Sequence, residues 1–178
     1  MKGVVLLDRD GTIIKDKNYL CDPSQIELIP KAGEAISNLN KASIKVFVMT
    51  NQSGIGRGYF NLNDMKNIHD KLDKILRNYD AKIEKYYYCP HAPDLDNPCN
   101  CRKPDIGLFK KLISEYNIPT SNTWMIGDKL TDIRFAENAN IMSILVKTGY
   151  VKDFSDYSGL YYDSIYQASN YIINEISK

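Results

Sequence analysis

Histidine and tryptophan are scarce in this chain, with two and one among 178 residues, and neither sign of charge dominates: 23 Lys and Arg face 22 Asp and Glu. A balance that close to zero leaves no electrostatic footprint for nucleic acid or for an anionic membrane surface. No apolar run is long enough to cross a bilayer. Ahead of Asp8 stand Lys2 and then five apolar or glycine residues, too few for the apolar core of a signal peptide, so a cytoplasmic location is expected. In that compartment the four cysteines read as metal ligands or free thiols rather than disulfides. Repeats, low-complexity tracts and flexible linkers are missing too, which predicts a single domain over 1–178, acting as a monomer. With 43% apolar residues, a chain of this length can bury a sizeable core.

What is present is alternation. Val4-Val5-Leu6-Leu7 is a short continuous apolar run, as a strand buried on both faces would show. It runs into Asp8-Arg9-Asp10-Gly11, which places two acids at a strand's carboxyl end, where open α/β sheets bind ligands. Residues 12–30 read as a loop, and Pro30 leads into a helix with Ala32, Ala35, Ile36 and Leu39 on one face. Residues 45–49 form a second strand, ending at Thr50-Asn51-Gln52-Ser53-Gly54. Asp64 reads as the cap of a helix striped by Met65, Ile68, Leu72, Ile75 and Leu76. A third strand is expected at 83–88, a Cys- and Pro-rich loop at 89–104, and a helix marked by Phe109, Leu112, Ile113 and Tyr116. A strand at 123–126 ends at Gly127-Asp128, a short helix holds Ile133 and Ala136, a strand covers 141–146, and Ile165, Ala168, Ile172 and Ile176 mark a closing helix. Such alternation predicts βαβ units: an α/β fold of three layers, α/β/α, around a central, mainly parallel sheet.

Two carboxylates one residue apart repel each other, and a hard cation such as Mg²⁺ relieves that repulsion. Asp-x-Asp-Gly alone is equally what a turn shows. Further polar clusters at strand ends shift the balance. Thr50-Asn51 offers a hydroxyl and an amide to phosphate oxygens. Asp128 and Asp132 are four residues apart, a spacing that puts two acids on one helix face. Lys103 adds a cation. A nucleophilic carboxylate, a second acid, metal-binding acids, a hydroxyl and a cation are the parts of a phosphoryl-transfer site.

Asp8-Arg9-Asp10-Gly11-Thr12, Thr50-Asn51, Lys103 and Gly127-Asp128-Lys129-Leu130-Thr131-Asp132 resemble, in order, the four motifs of the haloacid dehalogenase-like phosphatases, and the likeness reaches about Gly149. The resemblance implies a Rossmann-like core and Mg²⁺-dependent hydrolysis of a phosphomonoester through an aspartyl-phosphate. It implies Asp8 as nucleophile, Asp10 as acid and then base, and Thr50 and Lys103 as holders of the transferring phosphoryl group. Thr12 and Asn51 would serve the substrate. Asp8, the backbone carbonyl of Asp10 and Asp128 would bind Mg²⁺, with Asp132 just outside those ligands.

Cys89-Pro90-His91 and Cys99-Asn100-Cys101 bring four soft or borderline ligands within thirteen residues, which suits a closed Cys₃His zinc site better than buried thiols beside a surface histidine. The other histidine, His69, reads as an ordinary helix residue, and Cys21 as a lone small side chain. Zinc would stiffen a loop with too few apolar residues to pack itself, and would aim Arg102 and Lys103 at the reaction centre. Cys-Pro-His followed by Cys-x-Cys-Arg-Lys-Pro resembles the histidinol-phosphatase-related subgroup, which lacks a large cap domain. Within it, Asn51-Gln52-Ser53-Gly54-Ile55-Gly56-Arg57-Gly58, Tyr87-Tyr88-Cys89-Pro90-His91 and Val146-Lys147-Thr148-Gly149 are more similar to the heptose 1,7-bisphosphate phosphatases than to the histidinol phosphatases. That resemblance implies removal of the 7-phosphate, in making nucleotide-activated heptose for surface polysaccharide. Histidinol phosphate hydrolysis is the alternative, and a catalytically silent zinc module that binds a sugar phosphate is the alternative of another class. For the second phosphate, Arg57 and Arg102 are the expected donors, with Gly54, Gly56 and Gly58 offering backbone N–H groups.

Overall fold

Every residue of β1 (Gly3–Leu7) is buried, as its unbroken apolar run predicts, and β1 lies inside the sheet rather than at an edge. The computed structural model describes residues 2–95, 98–150 and 157–178. In chain order the remaining elements are α1 (Ala32–Lys41), β2 (Ile44–Asn51), α2 (Leu62–Arg77), β3 (Lys85–Cys89), α3 (Gly107–Glu115), β4 (Thr123–Gly127), α4 (Leu130–Ala139), β5 (Met142–Val146), β6 (Tyr161–Tyr162) and α5 (Ile165–Ile176). The strands form one open sheet in the order β3-β2-β1-β4-β5-β6, and every neighbouring pair is parallel.

Alternate residues of each strand face opposite sides, so the sheet has two cores. Val5, Leu7, Val46, Val48, Ile126 and Ile144 pack with Ile36, Leu39, Ile68, Leu72, Ile165 and Ile172, which puts α1, α2 and α5 on one face. Val4, Leu6, Phe47, Met49 and Met125 pack with Phe109, Leu112, Phe135 and Ala136, which puts α3 and α4 on the other. Each fully buried Leu, Ile or Phe contributes about 1.5–3 kcal/mol, so these layers dominate the stability. The fold is the expected three-layer, Rossmann-like α/β/α arrangement. No helix among the described residues is long and apolar enough to cross a membrane.

Register sets the site. Leu7 lies level with Val48 on one side and Ile126 on the other. Asp8 after β1, Thr50 and Asn51 at the end of β2, and Asp128 after β4 therefore leave the sheet along one edge. Residues 12–30 cross near that edge with only one short 3-10 turn, Pro23–Gln25, pinned by buried Ile13, Ile14, Leu20 and Ile29.

Local expectations are corrected in a few places. Asn61, not Asp64, caps α2: its side chain accepts from Asn63 N and Asp64 N, while Asp64 reaches back to Asn61 N. Asp64 is thus the far half of a capping box. Tyr116 lies beyond α3 in extended conformation and meets Phe47 edge-on, with ring centroids 5.0 Å apart. The third strand begins two residues later than the apolar run suggests, at Lys85. Strand β6 has two residues, too few to leave a pattern.

Candidate active site

At the carboxyl edge of β1, β2 and β4 a cavity of about 660 Å³ is lined by Asp8, Asp10, Thr50, Asn51, Lys103 and Asp132, among others. Asp8 and Thr50 are buried at its floor, as the strand ends dictate. The Lys103 ammonium is buried too, and it donates to Asp8 Oδ1 at 2.8 Å, to Asp132 Oδ1 at 2.5 Å and to the Met49 carbonyl at 2.7 Å. Burial alone would raise the Asp8 carboxyl, but the charges of Lys103 and Lys129 hold it below the usual carboxylate range. An ionised carboxylate is what a nucleophile needs.

Asp128 and Asp132 do come together, though not on a helix face. Asp128 lies ahead of α4, and Asp132 is the third residue inside it, where its Oδ2 accepts from Lys129 N at 3.0 Å. Burial first, and then the charge of Asp8, push Asp128 up to about 7. Its Oδ2 accepts from Tyr150 N at 2.7 Å, whereas its buried Oδ1 has no hydrogen-bond partner among the described residues. Carboxylate oxygens of Asp8, Asp128 and Asp132 lie within 4.8 Å of one another. An orphaned buried oxygen amid three acids fits a hard divalent cation, which would satisfy it and neutralise the cluster. The backbone is shaped to match: a Cβ on Gly11, whose φ is +88°, would stand 2.5 Å from Asp128 Oδ2. The Thr148 hydroxyl fastens this corner by donating to the Gly11 carbonyl at 2.6 Å.

The second cluster is equally definite. Cys89, His91, Cys99 and Cys101 converge with their ligand atoms within 4.8 Å of one another. Cys101 Sγ lies 3.1 Å from Cys89 Sγ and 3.3 Å from His91 Nδ1, and Cys99 Sγ lies 3.6 Å from Cys89 Sγ. A tetrahedron with zinc–sulfur bonds of about 2.3 Å has edges of about 3.8 Å, so these atoms fit round one such ion. Residues 96 and 97 of the loop lie outside the described residues.

Other predicted residues take places the sequence did not suggest. Asn51 lines the cavity, but both ends of its amide grip the backbone of Lys103: Nδ2 donates to the Lys103 carbonyl at 3.1 Å, and Oδ1 accepts from Lys103 N at 3.0 Å. Thr12 is wholly buried beneath the turn and off the cavity wall, its hydroxyl without a partner among the described residues. Arg57 is also absent from the wall, because its guanidinium forks onto Asp94 at 2.9 and 2.5 Å. Gly56 and Gly58 spend their N–H groups on the carbonyls of Pro90 and Ile55. Arg102 does line the cavity, steadied by a 3.3 Å bond from its NH1 to the His91 carbonyl.

Arg9, given no role of its own by the sequence, and His69, read as an ordinary helix residue, meet beside Asp10. Arg9 is fully buried and forks onto Asp10, with Nε to Oδ2 and NH2 to Oδ1, each 3.1 Å. Its NH1 reaches His69 Nε2 at 3.3 Å, and its NH2 reaches Gln52 Oε1 at 2.9 Å. Arginine has only donors, so Nε2 of His69 accepts. Burial, then the Arg9 charge, depresses His69 to about 3, which keeps the ring neutral. His69 stands one residue from Ile68 and three from Leu72 in the apolar stripe of α2, and that inward position was its signal. Lys129 was passed over too; it lines the cavity 4.0 Å from Asp128 Oδ2.

An open parallel sheet whose central strand delivers an acid to a buried lysine, flanked by two further acids, defines the haloacid dehalogenase-like class of hydrolases. A family model described as HAD-hydrolase-like matches residues 100–160. D-glycero-β-D-manno-heptose-1,7-bisphosphate 7-phosphatase from Haemophilus ducreyi is 36% identical over 154 residues, covering 83% of this chain and 85% of that protein. The enzyme of the same name from Neisseria meningitidis is 35% identical over 97% of this chain and 95% of its own length. Among solved structures, a D,D-heptose 1,7-bisphosphate phosphatase from B. bronchiseptica, complexed with magnesium and phosphate, superposes with a TM-score of 0.89 at 28% identity, over 97% of this chain and 99% of that one. The chain belongs to the haloacid dehalogenase-like phosphatases, in the family of the heptose-1,7-bisphosphate 7-phosphatases.

Proposed function

We propose that this chain removes the 7-phosphate of D-glycero-D-manno-heptose 1,7-bisphosphate, as a cytoplasmic, monomeric, single-domain enzyme acting on a soluble sugar phosphate. The observation that carries this reading is the buried pair of Asp8 and Lys103, 2.8 Å apart at the cavity floor beside Asp128 and Asp132. Asp8 attacks phosphorus; a new oxygen–phosphorus bond forms as the bond from phosphorus to the sugar oxygen breaks. The departing oxygen takes the proton of Asp10. Water then gives a proton to Asp10 and attacks phosphorus, breaking the aspartyl-phosphate and freeing Asp8 and inorganic phosphate. Thr50 and Lys103 hold the phosphoryl oxygens during both steps, and the ammonium offsets their charge. Asp8, Asp128 and the Asp10 carbonyl would hold Mg²⁺, which supplies the positive charge that lets an anionic acid approach an anionic phosphate.

Zinc held by Cys89, His91, Cys99 and Cys101 would fix the loop that carries Arg102 and Lys103. Arg102 then takes the second phosphate. Arg57 holds the loop after β2 against the zinc loop through Asp94. The cationic far end of histidinol phosphate would meet Arg102 and Lys129, which disfavours that alternative. A silent binding module is disfavoured because Asp8 and Asp10 are both kept, and the named relatives are phosphatases.

The test is phosphate release with Mg²⁺ present, from the heptose bisphosphate and from histidinol phosphate. Higher kcat/KM for the bisphosphate is expected. A preference for histidinol phosphate, or no release from either, would overturn the reading.

A further inference from the structure

We propose that Arg9, braced by His69 and Gln52, is a positioning residue that presents one particular oxygen of Asp10, Oδ1, for proton transfer. The inference rests on the reading of Asp10 as acid and base. Asp10 Oδ2 accepts from Arg9 Nε at 3.1 Å and from Gln52 Nε2 at 2.7 Å, while Oδ1 accepts from Arg9 NH2 at 3.1 Å. Each carboxylate oxygen has about two lone-pair directions. Oδ2 is therefore filled, and Oδ1 keeps one direction free to exchange a proton with the leaving oxygen or with water.

The fork fixes the Asp10 side chain only if Arg9 itself cannot turn. Arg9 is 1% exposed, and its two remaining neighbours hold it from different elements. His69 Nε2 on α2 accepts from NH1, and Gln52 Oε1 after β2 accepts from NH2. His69 is held in turn by its ring, stacked on Tyr86 at 4.1 Å and 12°, and the Tyr86 hydroxyl donates to Asp73 at 2.6 Å. Gln52 Nε2 also donates to Thr50 Oγ1 at 2.9 Å, which ties the acid–base group to a residue that holds the phosphoryl oxygens. A buried cation held by three polar side chains is costly to build and stiff once built.

The experiment compares a sugar phosphate, whose alkoxide leaves poorly without a proton, with p-nitrophenyl phosphate, whose phenolate needs none. His69→Phe keeps a ring against Tyr86 but removes the acceptor for Arg9. We expect kcat/KM for the heptose bisphosphate to fall about ten- to hundredfold, the scale of a small misplacement of a reacting group. The aryl phosphate should change less than about threefold on the same scale. His69→Gln, which can accept again, should restore most of the loss. In an Asp10→Asn background, His69→Phe should add nothing further. His69→Leu, which also removes the acceptor for Arg9, tests the same geometry should His69→Phe fail to fold, with the same selective loss expected. Equal losses on both substrates in these variants, or a full additional loss in the Asp10→Asn background, would overturn the brace. If Asp10→Asn itself loses both substrates equally, the acid–base reading falls and the brace with it. A selective loss in Asp10→Asn without one in His69→Phe or His69→Leu overturns the brace alone.

Discussion

The two ligand clusters beside the cavity are assembled by opposite means. Asp8 and Asp128 follow directly on buried strands, and Asp132 is locked as the capping partner of Lys129 at the start of α4. Lys103 balances two of these acids, and the backbone at Gly11 leaves the room they need. The acid cluster is thus organised by the sheet. Of the four thiol and imidazole ligands, only Cys89 stands on a strand. His91, Cys99 and Cys101 lie on a loop with little apolar anchorage, where exposed Leu95 is 65% accessible. On the proposed reading, a zinc ion would hold that cluster together. Catalytic geometry here comes from the fold, while the rim that carries Arg102 would be fixed by the zinc proposed for this cluster. Lys103 belongs to both regions, and the Asn51 clamp on its backbone ties it to β2 without help from the loop.

The sharpest break in that comparison is at Asp8. Asp8→Asn should lower kcat by about 10³-fold or more, since both the nucleophile and a cation ligand are lost. The circular dichroism spectrum should stay that of the native fold. A variant that keeps wild-type turnover would exclude a phosphorylated Asp8.

A smaller effect is expected at the loop. Elemental analysis should find one tightly held zinc per chain in the wild type and none in Cys101→Ala, whose kcat/KM should fall about ten- to hundredfold through a misplaced Arg102. Loss as large as that of Asp8→Asn would mean the clamp from Asn51 is ineffective and the two regions are not separate.

His69 gives a pH test on the sheet side. Its folded pKa of about 3 lies below the ordinary 6.5, so below pH 6.5 the unfolded chain binds a proton that the folded chain refuses. The stability this neutral ring represents is complete above pH 6.5 and is lost as pH falls toward 3, at up to about 1.4 kcal/mol per pH unit. Urea denaturation between pH 6.5 and 4.5 should show a shallower loss for His69→Gln than for wild type. Equal slopes would mean that His69 is protonated in the fold.

The smallest effect is expected at Arg57. It pairs with half-exposed Asp94 on the zinc loop, away from the cavity wall, and pairs of that kind contribute little. Arg57→Ala should change kcat/KM for the bisphosphate less than about threefold. Arg102→Ala should raise KM for the bisphosphate and leave a small monophosphate nearly unaffected. A large, bisphosphate-specific loss at Arg57 would return the second phosphate to it.

The strand ends were legible in the sequence because β1, β2 and β4 are buried on both faces and each stops at a polar motif. The Cys₃His cluster was legible because its ligands are close along the chain. What escaped was set by distant partners. Asn51 looks like a substrate contact until its amide is seen gripping a backbone 52 residues away. Arg57 looks free until Asp94, 37 residues on, takes its guanidinium. Arg9 sits between two acids and looks like their counter-charge alone; its brace on α2 depends on His69, 60 residues away. Hydrophobic periodicity reports which side chains turn inward, not which buried polar atoms meet there.

Amide hydrogen exchange on the zinc-loaded and the chelator-stripped protein compares the two regions directly. Protection in 98–104 should fall when zinc is removed, while protection in β1, β2 and β4 stays unchanged and Mg²⁺ removal affects neither strongly. Equal loss of protection in the loop and in these strands on zinc removal would contradict the account, as would a loop that stays protected without the metal.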